Sequence, residues 1–230
     1  SAQTSGHSLL ISLGGSADKM NTIEVLLVIA AAIVSILTIW GEMRAHRWVR
    51  YVCKPLATTL ILALAAVRLP HHPQVAWWLV AGLAFSLLGD VLLMLPRDCF
   101  VAGLGSFLGA QICYIVGFCT DAPGHGPLWA VVPGLALTVF FALTILPRAG
   151  QMRWPVLIYA LVIASMVWRA SARYAMLGGT SALSGMIGAW LFCTSDLSLA
   201  WRRFVQQRAW LPVYCLGSYY LAQLLIALSF

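Results

Sequence analysis

Residues 76–95 read AWWLVAGLAFSLLGDVLLML, twenty positions in which the only charge is Asp90. A helix rising 1.5 Å per residue needs about 20 mainly apolar residues to cross the roughly 30 Å hydrocarbon layer of a bilayer. This stretch has that length and is closed by Pro96, so it is read as a membrane span. Working outward, the pattern recurs along the chain. Apolar runs at 23–40, 49–67, 100–119, 128–146, 154–170, 181–201 and 211–229 bring the total to eight. The breaks between them carry proline, glycine or charge, as in Gly41–Arg47, Asp121–Pro127 and Arg173–Gly179. Backbone groups must be satisfied inside the bilayer, so connections this short require antiparallel neighbours in a compact bundle. The expected fold is all-α, a polytopic eight-transmembrane-helix bundle. Residues 20–230 form one transmembrane domain, and 1–19, rich in Ser and Gly, read as a disordered leader or an artificial remnant.

Composition supports lipid as the solvent. Hydrophobic residues make up 61% of the 230 positions and charged residues 9%, with a mean hydropathy of +0.89. That leaves too little charge to cover a soluble surface. The net charge of +7 is spread singly between apolar runs and forms no basic face with interleaved aromatics, so nucleic acid is not an expected partner. Instead the cations read as topology signals. Arg44, Arg47, Arg50, Arg97, Arg148, Arg153, Arg202, Arg203 and Arg208 fall on one side, against Lys19, Arg68, Arg169 and Arg173 on the other. Nine against four assigns the first side to the cytoplasm and both termini to the opposite side, in the inner membrane for a prokaryotic chain. Arg169 and Arg173 are expected to anchor helix 6 at the interface. Gly105 and Gly109, with Ser181, Ser184, Gly185 and Gly188, are expected to pack helices closely.

Six cysteines without a CxxC pair read as small buried hydrophobes. His71, His72 and His125 lack HxxxH or HExxH spacing, so no metal or other cofactor is expected.

The acids are more telling. Asp90 and Asp196 stand inside spans, where a charge costs roughly 2.5–3.5 kcal/mol on insertion scales, so retained acids usually face an interior cavity and act there. Their settings are parallel. SLLGDVLLMLPR and CTSDLSLAWRR each place the acid about one and a half turns before the arginine-bearing end, with arginine six or seven residues later. Each also precedes a helix with an Ala–Gln step, Ala110–Gln111 followed by Tyr114, and Ala222–Gln223 preceded by Tyr219 and Tyr220. Helices 3–4 and 7–8 therefore read as copies in a 4+4 pseudo-repeat that brings both carboxyls to one cavity. Ser86, one turn from Asp90, is placed to hydrogen-bond it. Lys54, before Pro55 in helix 2, either snorkels to the headgroups or pairs with an Asp or a lipid phosphate. A hydrolase and a proton-coupled transporter both fit intramembrane acids in a two-fold repeat.

FSLLGDVLLMLP followed by FVAGLGSFLGAQICYIVGF, and LFCTSDLSLAW followed by YYLAQLLIALS, resemble the two signatures of the YhhN-type lysoplasmalogenase family. The Lys54–Pro55 step and the eight-helix layout fit as well. The resemblance implies hydrolysis of the vinyl ether bond of a lysophospholipid, the lysoplasmalogen, to a fatty aldehyde and glycerophosphoethanolamine or glycerophosphocholine. Such chemistry needs an acid to protonate the β-carbon and a carboxylate to stabilise the oxocarbenium ion and activate water, the solution glycosidases use. Asp90 and Asp196 are the expected pair. Lys54, Ser86, Gln111, Tyr114, Tyr219 and Gln223 are the expected substrate-binding and orienting residues. Gln111 departs from the histidine common at that position in the family, and glutamine orients but does not titrate.

Overall fold

The computed structural model describes residues 20–70, 73–96 and 98–230, so the expectations for 1–19, His71, His72 and Arg97 lie outside the described residues. Eight helices follow in order: α1 Thr22–Met43, α2 Arg47–Arg68, α3 Pro73–Met94, α4 Phe100–Asp121, α5 Val131–Thr144, α6 Arg153–Leu177, α7 Gly179–Phe204 and α8 Leu211–Ala227. Among the described residues there is no strand, and short 3₁₀ turns flank α5 at Leu128–Ala130 and Leu146–Arg148. Seven helical stretches are long and apolar enough to cross a membrane, and α8, at 17 residues, is a shorter apolar helix. The chain is an integral, multi-pass membrane protein.

Local chemistry sets the boundaries. Asn21 caps α1, its side chain accepting from the Glu24 amide at 2.8 Å while Glu24 returns the bond to Asn21 at 3.2 Å, a reciprocal capping box. Gly178 separates α6 from α7 with a backbone φ of 64°, a conformation a Cβ would strain. Pro55 sits inside α2 because that helix begins at Arg47, a full two turns upstream of the proline.

The hairpins α1–α2, α3–α4 and α7–α8 pack tightly, and α6 packs against α4, α5 and α7. Their shared core holds Phe107, Tyr114, Phe192 and Tyr219, edge-to-face at 5.8–6.2 Å between ring centroids. Close approach depends on glycines other than the expected Gly105–Gly109 step. Gly105 is exposed and has nothing within 4 Å of where a Cβ would stand, while Gly109 rests on the Phe85 ring. A Cβ at Gly82 would lie 2.4 Å from the Tyr114 ring and one at Gly89 2.7 Å from Phe107. On α7, Gly185 and Gly188 pack as expected, Gly188 against Ile226 and the Ala222 carbonyl.

At the end of the bundle that holds the α6–α7 turn, the arginines are not interfacial anchors. Arg169 and Arg173 are 5% and 2% exposed. Arg169 donates to the Ala122 carbonyl at 2.8 Å and to that of Gly124. Arg173 pairs with Asp121 at 2.6 Å, donates to the Ser229 carbonyl at 2.7 Å and lies 4.1 Å over the Phe230 ring. Arg68 pairs with Glu24 at 3.2 Å and reaches the carbonyls of Leu228 and Phe230. Helix ends leave carbonyls without intrahelical partners, and a guanidinium fork satisfies several at once. Arg173→Ala removes the guanidinium from half-buried Asp121 and leaves the Ser229 carbonyl with Ser181 as its donor. Removing one partner of a buried pair costs about 3–5 kcal/mol, so a lowered thermal midpoint of the purified protein in detergent is expected.

Candidate functional site

Asp90 is 1% exposed and saturated with partners. Its Oδ1 faces the Lys54 ammonium at 3.2 Å. Its Oδ2 accepts from Thr58 Oγ1 at 2.6 Å and from the Tyr219 hydroxyl at 2.8 Å. Lys54 and Thr58 come from successive turns of α2, and Tyr219 from α8. Lys54 thus takes the counter-charge role.

Asp196, 7% exposed on α7, is held differently. Its Oδ2 accepts from Gln111 Nε2 at 3.1 Å and from the hydroxyl of Tyr159 on α6. Among the described residues no cation pairs with it.

The wiring repeats between halves. Each acid receives a hydroxyl from the second helix of its own half (Thr58 on α2, Tyr159 on α6) and a side chain from the fourth helix of the other half (Tyr219 on α8, Gln111 on α4). Between the acids the remaining pair closes the exchange, as the Tyr114 hydroxyl donates to Gln223 Oε1 at 2.7 Å. Gln111 and Gln223, though both follow alanine, take different partners, Asp196 and Tyr114. Gln111 corresponds in role to Tyr219, and Tyr114 to Gln223. The expectation for Ser86 is corrected. It lies 3.4 Å from the Tyr114 hydroxyl and makes no bond to Asp90.

The halves differ at one point that matters. Pro55, two turns into α2, is preceded by Lys54, whereas Pro155, in the first turn of α6, is preceded by Trp154, which is 62% exposed. The second half has no ammonium, and this makes the two acids electrostatically unlike.

Both acids open onto one cavity of about 640 Å³, inside the range of roughly 300–1,000 Å³ usual for small-molecule sites. Lys54, Asp90, Asp196 and Tyr219 line its floor, and Arg50, Arg202 and Arg203 its rim. Two ion pairs stand at the rim, Arg50–Glu42 at 3.0 Å and Arg203–Asp98 at 2.6 Å. The bond from Arg203 holds the Asp98 carboxyl below the usual carboxylate range. Arg202 has no acidic partner among the described residues. Helix ends are a poor ruler of depth here. α7 runs on to Phe204, eight residues beyond Asp196, while α3 stops four beyond Asp90.

The eight residues singled out in the sequence fall in three hydrogen-bonded groups, Lys54, Asp90 and Tyr219, then Gln111 and Asp196, then Ser86, Tyr114 and Gln223, and of these Lys54, Asp90, Asp196 and Tyr219 line the cavity. Thr58 and Tyr159 were missed, although each bonds an acid directly. No local signal marks them, since Thr58 lies three residues after Pro55, deep in α2, and Tyr159 four after Pro155, in the first turns of α6. Gly82 is a supporting residue. Gly82→Ala drives a methyl into Tyr114 and is expected to break its bond to Gln223. Overpacking of this kind costs about 1–3 kcal/mol, visible as a fall in thermal midpoint that Gly105→Ala does not reproduce.

The fold defines a polytopic helical membrane protein in which two buried acids, Asp90 and Asp196, line one cavity. Residues 49–230 match the YhhN family, and the chain belongs to it. Among its relatives, the membrane protein YhhN of Escherichia coli O157:H7 is 31% identical over 170 residues, 73% of this chain and 80% of that protein. Lysoplasmalogenase TMEM86B of Sus scrofa is 36% identical over 159 residues, 66% and 62% of the two chains. The lysoplasmalogenase of Mycobacterium bovis is 30% identical over 198 residues, 83% and 73%. No solved structure matches the chain.

Proposed function

We propose that this protein hydrolyses the vinyl ether bond of lysoplasmalogens, with Asp196 as proton donor and Asp90 as the stabilising carboxylate. The reading rests on one observation above the rest: two buried acids share a cleft, and only one of them has an ammonium beside it. Lys54 faces Asp90 and two hydroxyls donate to it, a setting that suits the stabilising carboxylate. Asp196, with no cation at hand, carries the proton, and its Oδ1, which accepts no bond from the described residues, is the oxygen free to deliver it.

The steps balance as follows. Asp196 protonates the β-carbon of the vinyl ether, converting the double bond into an oxocarbenium ion and leaving a carboxylate. Asp90 stabilises the positive charge and takes a proton from the attacking water, which bonds to the α-carbon. The hemiacetal then collapses. Asp196 takes the hydroxyl proton as the aldehyde C=O forms, and Asp90 passes its proton to the glycerol oxygen, which departs as an alcohol. Both carboxyls return to their starting states. Tyr219 and Gln111 hold the two acids in orientation. Arg202 and Arg203 hold the phosphate at the rim by charge-assisted bonds.

The relatives named as lysoplasmalogenases favour a hydrolase over a transporter. The test is incubation of the purified full chain in detergent with lysoplasmenylethanolamine, with mass-spectrometric detection of aldehyde. Release in detergent supports hydrolysis, since transport needs a sealed compartment. No aldehyde from lysoplasmenylethanolamine or lysoplasmenylcholine overturns the reading. The same proposal places the cleft mouth at the cytoplasmic face and both termini opposite, following the arginine count. Single-cysteine labelling in intact cells checks this.

A further inference from the structure

Two of the chain's fourteen Lys and Arg residues are lysines, Lys19 and Lys54. Lys54 is the only lysine among the described residues. The other ion pairs there are all made by guanidinium groups, as in Arg68–Glu24 and Arg173–Asp121. Arginine is the usual choice for a buried pair, because its planar fork meets a carboxylate at two points. Lysine differs in one property that matters inside a cavity. Once deprotonated, its amine is a nucleophile that forms Schiff bases with carbonyl compounds, which a guanidinium does not do.

The surroundings of Lys54 supply the rest of that chemistry. Its side chain is 16% exposed and faces Asp90 Oδ1 at 3.2 Å. Thr58 and Tyr219 both donate to Oδ2. Oδ1 is therefore the oxygen placed to take a proton from the ammonium. Asp196, a second carboxyl, lines the same cavity. At about 640 Å³ that cavity has room for a carbonyl compound beside the amine, and Leu92, Leu199 and Leu216 give it apolar wall.

We propose that Lys54 captures a fatty aldehyde in the cleft as a reversible Schiff base. The source of the aldehyde rests on the proposed reaction, whereas the amine site does not. Asp90 takes one ammonium proton, and the freed nitrogen bonds to the carbonyl carbon. The carbonyl oxygen takes the proton of Asp196, which then recovers one from the nitrogen. Asp90 returns its proton to the new hydroxyl, which leaves as water while the nitrogen lone pair forms C=N. One ammonium and one aldehyde become one iminium and one water, and both carboxyls end as they began. Charge favours the adduct. The iminium keeps a positive charge beside Asp90, so capture leaves no buried carboxylate without its partner. Until water reverses the bond, the captured chain occupies space that an entering lysolipid needs.

The full chain in detergent is incubated with hexadecanal and sodium cyanoborohydride, which adds hydride to the iminium carbon and makes the bond permanent. Peptide mass spectrometry is expected to find the hexadecyl group on Lys54 at least about tenfold faster than on Lys19, well within what positioned reactants gain. In Asp196→Asn the Lys54 rate is expected to fall at least about tenfold, as for loss of a positioned acid, with Lys19 as the internal reference. Labelling of Lys54 no faster than of Lys19, or at the parent's rate in Asp196→Asn, overturns the proposal. Where aldehyde release is established, fully trapped protein is expected to release none, and continued release also overturns it. Trapping needs no hydrolysis. Label at Lys54 in a protein that releases no aldehyde would sink the hydrolase reading and leave the amine site standing, and release without the label does the reverse.

Discussion

Asp196→Asn releases no aldehyde above background from lysoplasmenylethanolamine, while the variant purifies in the yield and with the thermal midpoint of the parent. The expected loss is large because asparagine keeps the shape and the bonds from Gln111 and Tyr159 but has no acidic proton to give. Loss of a positioned general acid alone costs roughly 10²–10⁴-fold. Carbon protonation leans on the acid more heavily than oxygen protonation does, so the upper end applies. The isosteric change also controls for folding. Asparagine still accepts hydrogen bonds at Oδ1, so the α4–α6–α7 contact survives. Asp196→Glu is the informative companion. It keeps the proton but moves it by a methylene, and partial activity in it with none in Asp196→Asn identifies proton delivery as the missing function. Turnover in Asp196→Asn within tenfold of the parent removes Asp196 from the mechanism and transfers the acid role to another group.

The residues that were legible in the sequence share a physical property. A charge inside a hydrophobic run is costly, so Asp90, Asp196 and Lys54 stood out against their spans, and polar residues on neighbouring helices followed from them. Thr58 and Tyr159 carry no such mark. A hydroxyl in a membrane helix can satisfy itself on the carbonyl four residues back, as Thr59 does on Pro55 and Ser165 on Leu161. Nothing local tells those hydroxyls from the two that reach across the bundle. The far-end arginines were misread for a related reason. Arg169 and Arg173 stand where snorkelling side chains stand, and their true partners are carbonyls of Ala122, Gly124 and Ser229, which no sequence pattern displays. The Gly105–Gly109 step failed because spacing fixes which residues share a helix face but not which way the face turns. Gly82 and Gly89, a heptad apart on α3, turn inward onto Tyr114 and Phe107. The helix count needed none of this, since span length and the breaks at proline, glycine and charge determine it.

Lys54 gives the second large effect, and it separates charge from stability. Lys54→Met leaves the Asp90 carboxyl with its two hydroxyl donors but no counter-ion, in a position 1% exposed. Breaking a buried ion pair from one side costs about 3–5 kcal/mol, whereas replacing both partners with neutral groups is often close to neutral. The single variant is therefore expected to lose thermal stability and to release little or no aldehyde. The double variant Lys54→Met/Asp90→Asn is expected to recover most of the stability and none of the activity. That dissociation is what the assigned roles require. The ammonium serves the fold by pairing with Asp90, and it serves the reaction by holding that carboxyl in place when the oxocarbenium charge appears. Detergent thermal unfolding and aldehyde release measured on the parent, Lys54→Met, Asp90→Asn and the double variant form a complete cycle. Additive stability losses would show that Lys54 and Asp90 do not act as a pair. Activity in the double variant would show that the carboxylate at Asp90 is dispensable, and the two-acid mechanism would then reduce to Asp196 and water.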